Sequence, residues 1–134
     1  MSKQVLILST DNSTNSIIAE AVLTKYLHGA ITQSCGLKPI SAINPNVKKV
    51  LQENNLWSDE YHPKSSDSFL DNKLDLVVII CEKAAKKCPN FTSPVDIIQI
   101  DYEDISKEGY TTFKTRLKEI QMELLPIVRM HLGL

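Results

Sequence analysis

The chain has 134 residues, with 15 basic and 16 acidic side chains, a formal net charge of −1 and 43% hydrophobic residues. That length suits one self-supporting core, expected as a single domain spanning residues 1–134, and so even a charge balance offers no basic face for nucleic acid or an anionic membrane. The apolar runs Val5–Leu8 and Leu76–Cys81 are too short for a signal peptide or a membrane span, so a cytoplasmic protein is expected.

In chain order, Val5–Leu8 reads as a short buried strand. The polar turn "STDNSTNS" follows it and leads into a helix from Asn15 to about His28, whose apolar side is Ile17, Ile18, Ala21, Val22, Lys25 and Leu27. His28-Gly29 ends that helix, and Ala30–Ser34 reads as a second strand. The stretch from Pro39 to Asn46 is a loop, and Asn44-Pro45 starts a helix that buries Val47, Val50 and Leu51. After a polar stretch from Trp57 to Lys73, Leu74–Ile80 is a continuous Val- and Ile-rich run suited to a parallel strand covered on both faces. Glu82–Lys87 reads as a helix, Val95–Ile100 as a fourth strand, and Tyr110–Leu132 as a long terminal helix that Pro126 should kink or interrupt. Neither repeats nor low-complexity segments interrupt the alternation.

Strands alternating with helices imply an α/β fold, here a three-layer α/β/α arrangement on a four-stranded parallel sheet. Its ligand sites lie beyond the carboxyl ends of the strands. Three chemically suggestive stretches fall there: residues 9–16, 81–89 and 101–104. The first has the composition of an ordinary helix cap and turn, and it also lies where α/β proteins gather backbone N–H groups around an anion. The alternation of Asp11, Ser13 and Asn15 resembles a calcium loop but fails as one, because Ser16 stands at the required glycine and Val22 at the terminal glutamate.

The succession "VLILSTDNSTNSIIAEAVL", "SCGLKP", "NPNVKKVL" and "LDLVVIICEKAAKKCP" resembles the thioredoxin-coupled arsenate reductases, which share the fold of the low-molecular-weight protein tyrosine phosphatases. The likeness covers roughly residues 3–104 and implies an anion loop formed by Ser9, Thr10, Asp11, Asn12, Ser13, Thr14, Asn15 and Ser16. In that family the loop reads Cys, five residues, Arg, Ser, with a glycine two places after the cysteine. Here Ser9 stands at the nucleophile, Asp11 at the glycine and Asn15 at the arginine, while Asn12, Ser13 and Ser16 match. A serine hydroxyl needs an adjacent general base, and no histidine lies in or beside this turn. Its oxygen cannot supply the electrons that reduce arsenate. At about 4 Å and an effective dielectric of about 20, one charge pair is worth on the order of 4 kcal/mol, so losing the arginine and gaining Asp11 predicts weak oxyanion binding.

The resemblance carries two further sets of residues. A potassium ion beneath the loop would be held by Asn12, Glu20, Ser34 and Asp67; the alternative is that Glu20 is a solvated or capping helix residue, and no other cofactor is implied. Cys81 and Cys88 would be the redox pair presented to thioredoxin, with Lys73, Lys83, Lys86 and Lys87 favouring thiolate character. The bland alternative makes Cys81 a buried strand-end hydrophobe and Cys88 a chance neighbour. Seven residues along an intact helix would hold the two Cα atoms roughly 10 Å apart, beyond the roughly 7 Å a disulfide allows, so pairing requires local unwinding. Asp101 stands where the phosphatases place a general acid before a proline, here replaced by Tyr102; a plain loop carboxylate beside Glu103 and Asp104 is the other reading. Cys35 reads as structural, and His28, His62 and His131 lie in unrelated contexts without metal spacing.

Two functional expectations follow. One is an arsenate reductase-like protein with a degenerate loop, lacking phosphatase and normal reductase activity, that acts in binding or regulation. The other is a thioredoxin-linked dithiol oxidoreductase using Cys81 and Cys88.

Overall fold

The computed structural model describes residues 2–134. Its four strands are β1 (Lys3–Ser9), β2 (Ala30–Gly36), β3 (Leu76–Ile79) and β4 (Asp96–Gln99). They form one parallel sheet in the order β2-β1-β3-β4. The chain leaves β1 toward β2, then jumps back across β1 to β3, so the strand order reverses between β1 and β3. A crevice opens at such a reversal, outside the carboxyl ends of the two strands.

Alternation along β1 sorts the core into two layers, because successive side chains point to opposite faces of a sheet. Val5 and Ile7 enter a large cluster with Ile17, Ile18, Val22, Val47, Val50, Leu51, Phe113, Leu117, Ile120 and Leu124. These come from α1 (Asn15–Tyr26), α2 (Pro45–Glu53), α4 (Tyr110–Glu119) and the turn beyond it. Leu6 and Leu8 face the other way, into a smaller cluster with Cys35, Phe69, Val77, Ile79 and Ala84. That second layer is roofed only by the one-turn helix α3 (Glu82–Lys86), a 3₁₀ turn at Ser66–Phe69 and loops.

Element positions follow the sequence reading, with local differences. β2 runs two residues past Ser34, because Gly36 lets the loop after β1 press against it: a Cβ there would lie 2.8 Å from Thr10 O and 3.0 Å from Asn12 N. α1 stops at Tyr26, where Leu27 leaves helical geometry ahead of Gly29 at φ +90. Asn44 caps α2 as expected, its side chain accepting from Asn46 N at 2.8 Å. The terminal helix continues through Pro126 without interruption. One π turn, Ile120–Leu124, sits just before it and leads into α5 (Leu125–Leu132); widening the turn relieves the clash a proline ring makes with the carbonyl four residues earlier. No helix among the described residues is long and apolar enough to cross a membrane.

Candidate functional site

A cleft of about 260 Å³ opens at the β1/β3 reversal, lined by Ser9, Thr10, Asp11, Asn15, Cys81, Lys83, Tyr102 and Asp104 among others. The three stretches singled out in the sequence therefore meet at one place. One wall is the loop between β1 and α1. Its Ser9 hydroxyl accepts from Asn12 N at 3.0 Å and donates to Ser16 Oγ at 3.1 Å. Ser9 has no carboxylate or imidazole partner among the described residues; its hydroxyl closes the loop and lacks the base that would make it a nucleophile. Asn12 takes the left-handed conformation at φ +53, which asparagine tolerates better than most residues. Thr14 is the residue before α1, and it makes no side-chain cap hydrogen bond. The turn is thus not a self-capping helix start, and the first N–H groups of α1 are left without a side-chain acceptor.

Asn15 occupies the position that the resemblance gives to arginine, and its amide is already committed. Nδ2 donates to Glu103 O at 3.0 Å, and Oδ1 accepts from Arg116 Nη1 at 2.9 Å. The same Nη1 donates to Glu103 O at 2.9 Å, and the guanidinium lies 5.2 Å above the Tyr102 ring. Arg116 is buried, and its Nε has no hydrogen-bond partner, with only a Glu119 carboxylate oxygen 3.8 Å away. A cation therefore does stand behind the loop, contributed by α4, but it points into backbone and amide oxygens rather than into the cleft. Sequence reasoning missed it. The available signal was an arginine on the stripe of Phe113, Leu117 and Ile120, all buried.

The opposite wall corrects the acid assignment. Beyond β4 the chain stays extended, with Ile100 N donating to Ile79 O and Tyr102 N to Ile80 O, each at 2.9 Å. Alternation then buries Tyr102 and turns Asp101 outward, where it accepts from Gln99 Nε2 at 2.9 Å. Asp101 does not line the cleft; Asp104 does. Asp104 accepts from Ser106 N at 2.9 Å, and hydrogen bonds from the Ser106 backbone and hydroxyl hold its carboxyl below the usual range. It is a carboxylate at neutral pH and has no proton to give a leaving group. Burial pushes the Tyr102 hydroxyl up to about 12.

Cys81 ends the β3 side of the cleft, its Sγ 3.5 Å from Thr10 Oγ1. All three cysteines are free thiols. The helix expected over Glu82–Lys87 is one residue shorter: Cys81 is extended at φ −150, α3 is a single turn, and Cys88 lies past its C-cap Lys87. Turn-type hydrogen bonds carry on to Cys88, from Lys87 N to Ala84 O at 3.2 Å and from Cys88 N to Ala85 O at 3.4 Å. The lysine effect also differs from expectation, since burial pushes the Cys88 thiol up, while Lys86 pairs with Glu82 at 3.3 Å on the surface. Cys35 is fully buried and its thiol is driven up to about 12, chiefly by loss of solvent, in keeping with the structural reading.

Beneath the loop, three of the four expected potassium ligands gather. Asn12 Nδ2 donates to Ser34 Oγ at 2.8 Å and to Ser16 Oγ at 3.0 Å, and Ser34 Oγ donates to Glu20. Asn12 Oδ1 accepts from Lys64 N at 2.8 Å, and Lys64 Nζ lies 3.7 Å from Glu20 Oε1. Asp67 is exposed on the 3₁₀ turn, its N–H bonded to Ser65 Oγ. As arranged, the set does not fit a potassium ion: Asn12 turns its amide hydrogens inward, its oxygen is occupied by an N–H that can only donate, and an ammonium already faces the carboxylate. Burial raises the Glu20 carboxyl, against the lowering effects of Ser34 and Lys64.

A parallel β2-β1-β3-β4 sheet, a polar loop wrapped on the first helix and a second wall from the β3 and β4 ends define a class, the low-molecular-weight phosphatase type of α/β protein. Residues 4–112 match the family described as low molecular weight phosphotyrosine protein phosphatase, and the chain belongs to that family. The arsenate reductase of Halalkalibacterium halodurans is 33% identical over 109 residues, covering 80% of this chain and 78% of that protein. The arsenate reductase of Brevibacillus brevis is 29% identical over 119 residues, 88% of each. In fold, the crystal structure of arsenate reductase from Archaeoglobus fulgidus matches with a TM-score of 0.79 at 22% identity, over 92% of this chain and 98% of that one.

Proposed function

We propose that this chain is a degenerate arsenate reductase-like protein that keeps the family's cleft without its phosphatase or normal arsenate reductase chemistry and works by binding or regulation. The observation that carries this reading is the state of the two key loop positions. Ser9 is used up in closing the loop, and Asn15 is tied to Glu103 and Arg116, so the loop presents neither a nucleophile nor a cation. Ionised Asp104 and the cleft-lining Asp11 further weaken any hold on an oxyanion. The test supplies the full chain with arsenate, thioredoxin, thioredoxin reductase and NADPH, and separately with an aryl phosphate. Neither NADPH consumption above a Cys81→Ser control nor phosphate release is expected; arsenate-dependent consumption would overturn the reading.

A second reading is favoured by one specific observation. Cys81 borders the cleft, and only one helical turn separates it from Cys88 on the same apolar cluster. A thioredoxin-linked dithiol oxidoreductase would use this pair, leaving Cys35 out. Mild oxidation and peptide mapping would then find an intramolecular 81–88 link that thioredoxin reverses.

A further inference from the structure

The charge cluster of Glu20, Ser34 and Lys64 lies beneath the loop and does not line the cleft. Glu20 is buried from α1, and a carboxylate taken out of water needs a compensating charge close by. In the arrangement that the resemblance implies, a bound monovalent cation supplies that charge. Here the positions around Glu20 are filled by protein: Ser34 donates to it, Asn12 donates to Ser34, and Lys64 Nζ stands 3.7 Å from Oε1.

Lys64 is held there by its own backbone. Its N–H donates to Asn12 Oδ1 at 2.8 Å, and its carbonyl accepts from Gly36 N at 2.8 Å, so the residue is clamped to the loop and to the end of β2 at once. Its side chain is only 18% exposed and that of Glu20 7%, unlike an ordinary surface ion pair. The N–H on Asn12 Oδ1 also fixes the direction of that amide, which removes an oxygen a bound cation would need.

We propose that Lys64 is a tethered counter-cation: its ammonium takes over the work of a bound potassium ion, holding Asn12, Ser34 and Glu20 together so that residues 9–16 keep their shape without a free metal ion. Lys64 is a positioning residue, acting on the loop through Glu20 and Asn12. It also lines a shallow depression of about 380 Å³ with Thr32 and His62, so a small cation can reach the place its side chain would vacate.

The experiment measures thermal unfolding and amide exchange across residues 9–16 in potassium chloride and in choline chloride at equal ionic strength. The wild-type chain is expected to behave identically in the two salts. Lys64→Ala should lose at least tenfold in loop protection in choline, and should regain it saturably with potassium or ammonium. Lys64→Met, which fills the space, should lose protection and stay insensitive to the salt. If Lys64→Ala does not fold, the Lys64→Met, Glu20→Gln double variant decides: removing both charges should restore most of the protection lost in Lys64→Met. Saturable stabilisation of the wild type by potassium would overturn the proposal. So would unchanged loop protection in Lys64→Ala, a loss that no small cation rescues, or a double variant no better protected than Lys64→Met.

Discussion

The two walls of the cleft are built in opposite ways. The loop of residues 9–16 packs on the thick layer and is tied through side chains to β2, to Lys64 and to α4. The segment of residues 81–88 rests on one helical turn over the thin layer, and its charged residues Glu82, Lys83, Lys86 and Lys87 are exposed. The loop is firmly scaffolded, with Ser9 and Asn15 both hydrogen-bonded within the fold; the segment carries two free thiols on little scaffold.

The comparison breaks most visibly at Asn12. Asn12→Ala removes three side-chain hydrogen bonds at a fully buried site: Lys64 N–H loses its acceptor, at a cost of about 1–3 kcal/mol, and Ser16 and Ser34 each lose one donor while keeping Ser9 and Glu20. We expect roughly 3 kcal/mol of lost stability, read as a fall of about 10 °C in Tm. A loss under about 1 kcal/mol would mean that the loop is not held by this network.

Amide exchange compares the walls directly. Amides across Glu82–Cys88 should exchange at least tenfold faster than those across Asn12–Glu20, because a single exposed turn opens locally without disturbing the sheet. Equal protection would remove the contrast.

Cys35 sharpens the comparison from the thin layer, through pH. Its thiol is raised in the folded chain from 9.0 to about 12. The stability it contributes is whole below pH 9 and is lost as pH rises toward 12, by at most about 1.4 kcal/mol per pH unit. Between pH 8.5 and 10, urea unfolding should therefore show about 1 kcal/mol more loss for the wild type than for Cys35→Ala. The smallest effect belongs to the exposed Lys86–Glu82 pair: Lys86→Ala should change stability by less than about 0.5 kcal/mol.

Much of the fold was legible in the sequence because its signals are local. The Val- and Ile-rich runs and the Asn44-Pro45 helix start depend on neighbours in the chain, and each produced the expected element, whereas Pro126 is absorbed by a π turn where a kink or interruption was expected. The Ser9-to-Ser16 turn was legible as a loop on a helix for the same reason. What escaped depends on distance. Arg116 meets Asn15 across 101 positions, and on a helix that also carries Lys114 and Lys118 it passes for a solvated side chain unless its place on the apolar stripe is weighed. Lys64 lay within a polar stretch, Trp57 to Lys73, with no periodicity to mark it. Asp104 and not Asp101 lines the cleft, because the alternation continues past β4 and buries Tyr102. The helix expected through Lys87 stops at Lys86, a difference of one residue.

The central claim is that the loop keeps the family's shape while no longer gripping an oxyanion, and calorimetric titration with phosphate, sulfate and arsenate tests it most directly. The account predicts no saturable heat below the millimolar range for any of the three, with the loop amides still protected from exchange. A micromolar dissociation constant would contradict it, because Arg116 or Lys83 would then have to supply the cation that Asn15 does not.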